Sequence, residues 1–230
     1  MTNSCLDIDY QIIRSRRKTV AIMIKDGLVE VRAPKRTPQY WIDDFVQQKR
    51  QWIAKQLKEQ AIKERQIYQL KDGQLITFLG AEKVVRVIAG KNTVLLSADE
   101  LVISCRKAEA KNVLKVFDQW LLEQAKLLLP AKVESLSYEL AVEHKLSKVI
   151  FRKTKTKWGH CTVDGVIQLN QLILLAPLFV TDYLIIHELC HLRHMNHSKD
   201  FWNMVEAHCP GYEDAERWIK EHGHKLWFKA

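Results

Sequence analysis

From residue 8 to residue 33 apolar and polar positions alternate, with Asp26-Gly27 in the middle of the run, and this pattern predicts a β-hairpin. The period then changes. From Pro38 to about Arg65, Trp41, Phe45, Trp52 and Leu57 stand among charges at helical spacing, which predicts a helical segment folded over the hairpin. Residues 74–104 return to short apolar runs, Val94-Leu95-Leu96 and Leu101-Val102-Ile103, with a break at Ala89-Gly90-Lys91-Asn92, and read as strands. From Ala108 to about Leu146 the residues Val113, Val116, Phe117, Trp120, Leu121, Leu127 and Leu128 recur at helical spacing, with Pro130 as a kink or the start of a new helix. Two strand-like pieces, 147–152 and 165–169, lead into an apolar helical stretch around residue 187. The fold expected is α+β: a mostly β region over residues 1–105 with one helical segment, packed on a helical domain over 106–230 that carries a small sheet. There is no internal repeat and no low-complexity linker, so the halves are expected to pack closely.

The last helical stretch carries the chemistry. His187-Glu188-Leu189-Cys190-His191 has the form H-E-x-x-H, and residues four apart on a helix are offset by only about 40°, so both imidazoles face one way. Asp182 to Ile186, Leu189 and Leu192 supply apolar positions for the opposite face. Two neutral imidazoles on one face can hold a zinc ion whose bound water has a pKa near 7, and an adjacent carboxylate can take that water's proton. Metal-assisted hydrolysis is the chemistry this spacing points to.

A catalytic zinc usually has three protein ligands. His197 is favoured as the third if the helix ends near Met195-Asn196, with Asn196 in the left-handed position that turns the chain back and Ser198 capping a new helix that bears Phe201, Trp202 and Val205. Glu206 and His208 are the alternatives, and His194 lies only loosely on the metal face. Asp200 and Glu206 are candidates to orient a ligand imidazole. For the oxyanion of an acyl-transfer reaction the candidate donors are His160, Tyr183, His194 and Tyr212.

A set of short motifs extends beyond the helix. Arg152, Lys157-Trp158-Gly159-His160-Cys161, Ile167-Gln168-Leu169-Asn170, Tyr183, the H-E-x-x-H run, Asn196-His197-Ser198 and Phe201-Trp202 follow in order, after Ile24-Lys25-Asp26-Gly27, Val31-Arg32-Ala33-Pro34 and Gln51-Trp52-Ile53. Together they resemble the YgjP-like metallopeptidases, relatives of the WLM and SprT-like groups, over nearly the whole chain. The resemblance implies a compact gluzincin-like zincin fold, metal ligands His187, His191 and His197, and Glu188 as general base. His160 stands where that family usually has Ser in Trp-Gly-Ser-Cys. The cysteine-rich zinc ribbon of some SprT-like proteases is absent, so a role in DNA repair gains no support.

Charge opens an alternative. The excess of 36 Lys and Arg over 27 Asp and Glu gives a formal charge of +9, which favours an anionic partner: nucleic acid, nucleotide or acidic peptide. A strand over 147–157 would set Lys153, Lys155 and Lys157 on one side and Arg152 on the other. In a nucleotide pyrophosphohydrolase acting on a substrate such as UTP, those cations would neutralise phosphates. In a peptidase, a strand ending at Trp158-Gly159-His160 would instead align an extended peptide, or an unfolded protein segment, by backbone pairing, with glycine permitting close approach. A nucleic-acid-binding protein with a structural metal is a weaker third reading, against which Glu188 beside an open metal position argues. Manganese, nickel or cobalt would also suit an all-nitrogen site. The remaining tryptophans recur with other apolar residues and are expected in the core. Five scattered cysteines without C-x-x-C spacing read as reduced thiols. The longest apolar run, Leu172 to Val180, is broken by Pro177 and too short for a membrane span, and the charged amino-terminal stretch is unlike a secretion signal, so a cytoplasmic location is expected.

Overall fold

The computed structural model describes residues 8–25, 27–65, 70–154 and 156–228. The fold is mixed α+β, and the chain divides into two compact units, Met1–Gln66 and Ile67–Ala230.

In the first unit the alternating run makes three strands rather than two: β1 (Tyr10–Ser15), β2 (Ala21–Lys25) and β3 (Leu28–Pro34). β2 and β3 form the expected hairpin, with Lys25 opposite Leu28 and Gly27 at φ +76°, a conformation glycine adopts without steric cost. Asp26 lies outside the described residues. β1 pairs parallel to β3 on its other side, so β3 is central and buries Val29, Val31 and Ala33 on one face. That face packs against Ile42 and Val46 of α1 (Gln39–Gln48) and Ile53 of α2 (Arg50–Arg65). Trp41 and Trp52, expected in the core, are instead 45% and 46% exposed, because the buried helix stripe is aliphatic; Trp41 stacks on Phe45.

The second unit has its own core. Strands β4 (Leu75–Phe78), β5 (Ala81–Ala89), β6 (Thr93–Leu96) and β7 (Glu100–Cys105) form a sheet in the order β4-β5-β7-β6, with β5 and β7 parallel at its centre. α3 runs unbroken from Ala110 to Glu139, so Pro130 neither restarts nor ends the helix. Its buried residues Val113, Phe117, Leu121, Ala125, Leu129, Val133 and Ser137 are four apart, and four residues advance a helix about 40° beyond one turn. The buried stripe therefore winds around α3, which lets one helix meet β6 and β7 and also β8 and α4. Leu127, expected on the packed face, is 72% exposed for the same reason.

A second sheet, β8 (Lys148–Phe151), β9 (Gly159–Cys161) and β10 (Val166–Leu169), has the order β8-β10-β9. The expected strand over 147–157 thus stops at Phe151, and the described residues 152–154 and 156–158 loop across to start β9 at an edge. Asn170 holds that loop: buried at 1% exposure, it donates from Nδ2 to the carbonyls of Thr154 and Lys157 and to Thr154 Oγ1, while its backbone N–H bonds the Trp158 carbonyl. α4 (Leu178–Cys190), α5 (Lys199–His208) and α6 (Tyr212–His222) follow. Among the described residues no helix is long and apolar enough to cross a membrane.

Candidate metal centre

α4 is mostly buried, with Val180, Leu184, Ile185, Ile186 and Leu189 in the core. Its helical bonding ends sooner than the sequence predicts, at Cys190 rather than near Met195. The N–H groups of Leu192, Arg193 and His194 fold back onto the carbonyls of Leu189 and Cys190, a tightened turn that satisfies the helix end without a left-handed residue. Among the described non-glycine residues positive φ occurs at Leu79 and Ala141, not at Asn196. Ser198 caps α5 as expected, accepting from Phe201 N–H.

This turn brings His197 back over α4. One ring nitrogen from each of His187, His191 and His197 lies within 4.8 Å of the others, and the Nε2 atoms of His187 and His197 are 3.2 Å apart. A tetrahedral zinc with Zn–N bonds of about 2.0–2.1 Å has ligand–ligand edges of about 3.3 Å, so that pair already stands at bonding geometry for one ion. The donor set also fits, since imidazole nitrogen suits zinc and its neighbours in the first transition row. Burial first, then the neighbouring His191 and His197, pull His187 down to about 4, and burial lowers His191. Both rings are therefore neutral near pH 7, the form that offers a lone pair.

The rings are oriented by what lies behind them. Nδ1 of His191 is 3.0 Å from the His194 carbonyl, so it carries a proton there and leaves Nε2 as donor to an ion. Nδ1 of His187 is 3.3 Å from Tyr183 Oη, and Tyr183 in turn donates to Glu216 Oε1 on α6 at 3.1 Å. The His197 ring lies on Trp202 and edge-on to Phe201. Trp202 stacks on Tyr212 and Tyr212 on Tyr183, an aromatic row that links α5 and α6 back to α4.

Glu188 is 6% exposed, and burial pushes its carboxyl up to about 8 against the opposing pull of Lys157. It lies against Gly159: a Cβ on that residue would sit 2.3 Å from Glu188 Oε1 and 2.5 Å from Cδ. A cavity of about 330 Å³ opens beside His187 and Glu188, walled by Trp158, Leu184 and Ile219, with Lys157, Lys220 and Glu216 also lining it.

Of the residues singled out in the sequence, Lys157, Trp158, Gly159, Tyr183, His187 and Glu188 share this cavity, and His191 and His197 join His187 in the cluster. Tyr183 Oη is taken up by Glu216 and His187. His160 is exposed on β9, close enough for its charge to act on His191. Arg152 is not brought in; it lines a separate cavity of about 610 Å³ beside α3, with Lys111 and Lys115. Lys153 is paired with Asp118 at 2.7 Å, and Lys155 lies outside the described residues. His208 bonds the Met204 carbonyl, and Glu206 and Asp200 are exposed. Cys190 and Cys161 are buried free thiols, raised to about 12 and about 11 by burial. The sequence reading missed the His194 carbonyl, Glu216 and the loop-holding amide of Asn170. The signal available for Glu216 was a tyrosine one turn before His187, whose buried hydroxyl needs an acceptor.

Three convergent imidazoles on an α+β scaffold make a group that could hold a metal ion. The sequence matches the family described as YgjP-like, metallopeptidase domain, over residues 18–222, and the chain belongs to that family. Among solved structures it is similar to the metallopeptidase zymogen of Pyrococcus abyssi abylysin, with 25% identity over 40% of this chain and 92% of that one, and a TM-score of 0.36. Comparison with curated proteins finds no match.

Proposed function

We propose that the protein is a zinc-dependent peptidase, with His187, His191 and His197 as metal ligands and Glu188 as general base. The observation that carries this reading is the position of the Glu188 carboxylate: next in sequence to His187, buried, and open to the same cavity as that ring. When bound by three imidazoles, zinc lowers the pKa of a coordinated water to about 7 and polarises a carbonyl, and manganese, nickel or cobalt would suit the same donors. Glu188 takes the proton of the attacking water and delivers it to the leaving amine; the charge of a bound dication beside it would hold the carboxyl ionised for this role against the pull of burial.

β9 is the strand that would present the substrate. It pairs with β10 so that Trp158, His160 and Thr162 direct their backbone groups to Asn170, Gln168 and Val166. By the alternation of an antiparallel pair, the N–H and C=O of Gly159 and Cys161 point to the open edge. An extended peptide added there would run past Glu188, with one side chain in the cavity walled by Trp158, Leu184 and Ile219. Of the cations that a nucleotide reading needs, Lys157 lines the cavity, but Lys153 is paired with Asp118 and Arg152 lines the other cavity, so a peptide is favoured over a triphosphate.

The test offers the zinc-loaded protein a peptide library and, separately, nucleoside triphosphates, with Glu188→Gln as control. Peptide cleavage that falls roughly 100- to 10,000-fold in Glu188→Gln, is abolished by chelation and returns with zinc is the expected result. Turnover of triphosphates without peptide cleavage would overturn the proposal.

A further inference from the structure

The hydroxyl of Tyr183 has two neighbours, Nδ1 of His187 at 3.3 Å and Oε1 of Glu216 at 3.1 Å, and one proton to give. Where that proton goes decides which nitrogen of His187 carries hydrogen. If Tyr183 donates to Nδ1, the proton of the neutral ring sits on Nε2, the atom that faces His197, and His187 has no lone pair to offer an ion there. If Tyr183 donates to Glu216, its oxygen accepts from Nδ1–H and Nε2 is left free. A hydrogen bond to a carboxylate is roughly twice as strong as one between neutral groups, so Glu216 wins the proton. An ordinary phenol keeps its proton near neutral pH, so the hydroxyl supplies the hydrogen that this chain of bonds requires. Tyr183 is 4% exposed and fixed by packing in the core, and Glu216 projects from α6 into the same cavity.

We propose that Glu216 is a positioning residue of the metal centre: acting through Tyr183, it holds His187 in the tautomer whose Nε2 is free to bind metal. This deepens the assignment of His187, His191 and His197 as ligands and rests on it. Its effect is separable from catalysis, because it acts on the metal-free ring.

Two readouts test it without a substrate. The first is zinc affinity of the full chain by competition with a chromogenic chelator, for wild type, Y183F, E216A, E216Q, Y183F/E216A and H187A. Loss of a hydrogen-bonding group behind a metal ligand typically costs 10- to 100-fold in affinity. Y183F and E216A are each expected to weaken zinc by about that factor, E216Q by less because its amide oxygen still accepts, and the double variant no further than Y183F alone. The second is the tautomer of His187 in the metal-free protein, read from its ring ¹⁵N shifts: protonated at Nδ1 in wild type, shifted toward Nε2–H in E216A. Thermal melts of the metal-free variants confirm that each is folded; if Y183F is not, E216A and E216Q carry the test by themselves. Wild-type affinity and tautomer in E216A, or losses in the two single variants that add in the double, overturn the relay. Zinc binding by wild type that survives H187A overturns the ligand assignment instead, and with it the relay.

Discussion

At the scale of single residues, the tightest constraint is Gly159. No larger residue fits against the Glu188 carboxylate without moving it, so Gly159→Ala is expected to lower peptide turnover by about the same factor as a misplaced base, 100-fold or more, while zinc affinity stays within a few-fold of wild type. Chelator competition alongside a cleavage assay checks this. A second expectation concerns the metal-free protein. Glu188 releases its proton at about 8 in the folded chain against 4.5 as an ordinary carboxyl, so the folded state is the better proton binder between those values. The stability it contributes is complete below pH 4.5 and is lost as pH rises to about 8. His187 runs the other way, from 6.5 down to about 4, and adds stability as pH rises through that interval. Above pH 6.5 the unfolded imidazole is losing the last of its proton, and the Glu188 slope outweighs that of His187. Urea midpoints of metal-free wild type should therefore fall between pH 6.5 and 8, and those of Glu188→Gln should not; equal slopes would remove Glu188 as the cause. Of this site, the convergence of His187, His191 and His197 was legible because a four-residue helical spacing and a short turn are local. The His194 carbonyl was not, since a backbone group has no sequence signature, and Glu216 was not, since it arrives from another helix through tertiary packing.

At the scale of elements, the apolar periodicity located the helices over 39–65, 110–139, 178–190 and 199–208, because each buries a face and that face leaves a pattern. It misjudged where elements stop. α4 ends early because three N–H groups close onto two carbonyls, and β8 ends at Phe151 because the chain must cross β10 to reach the other edge. Pro130 is the clearest case. It sits exposed within α3, where a proline removes one helical hydrogen bond, yet the winding stripe from Val113 to Ser137 holds the helix continuous. Pro130→Ala is expected to raise the unfolding free energy, by up to about 3 kcal/mol, measured by urea denaturation. An unchanged or lower stability would mean that the ring itself is needed where it packs beside Glu134 and Tyr138.

At the scale of the molecule, sheet order was the least legible feature. Parallel pairs such as β1–β3, β5–β7 and β8–β10 join strands that are not consecutive, and alternation within a strand says nothing about its neighbour. The division of the chain does carry a prediction. Each unit has a core of its own, and every side chain of the histidine cluster and its cavity belongs to the second. A chain beginning at Ile67 is expected to fold and to bind zinc within a few-fold of the whole protein, tested by chelator competition; failure to bind would show that the first unit is needed to build the centre. The far end of that unit is tied down more firmly. Trp227 donates from its indole N–H to the Thr154 carbonyl at 2.9 Å and meets Trp158 edge-to-face at 4.3 Å, while Phe228 packs on Phe117. The last few described residues thus brace one wall of the cavity from outside, so a protease that nicked the chain after His222 would loosen the grip on Trp158 while leaving all three histidines in place.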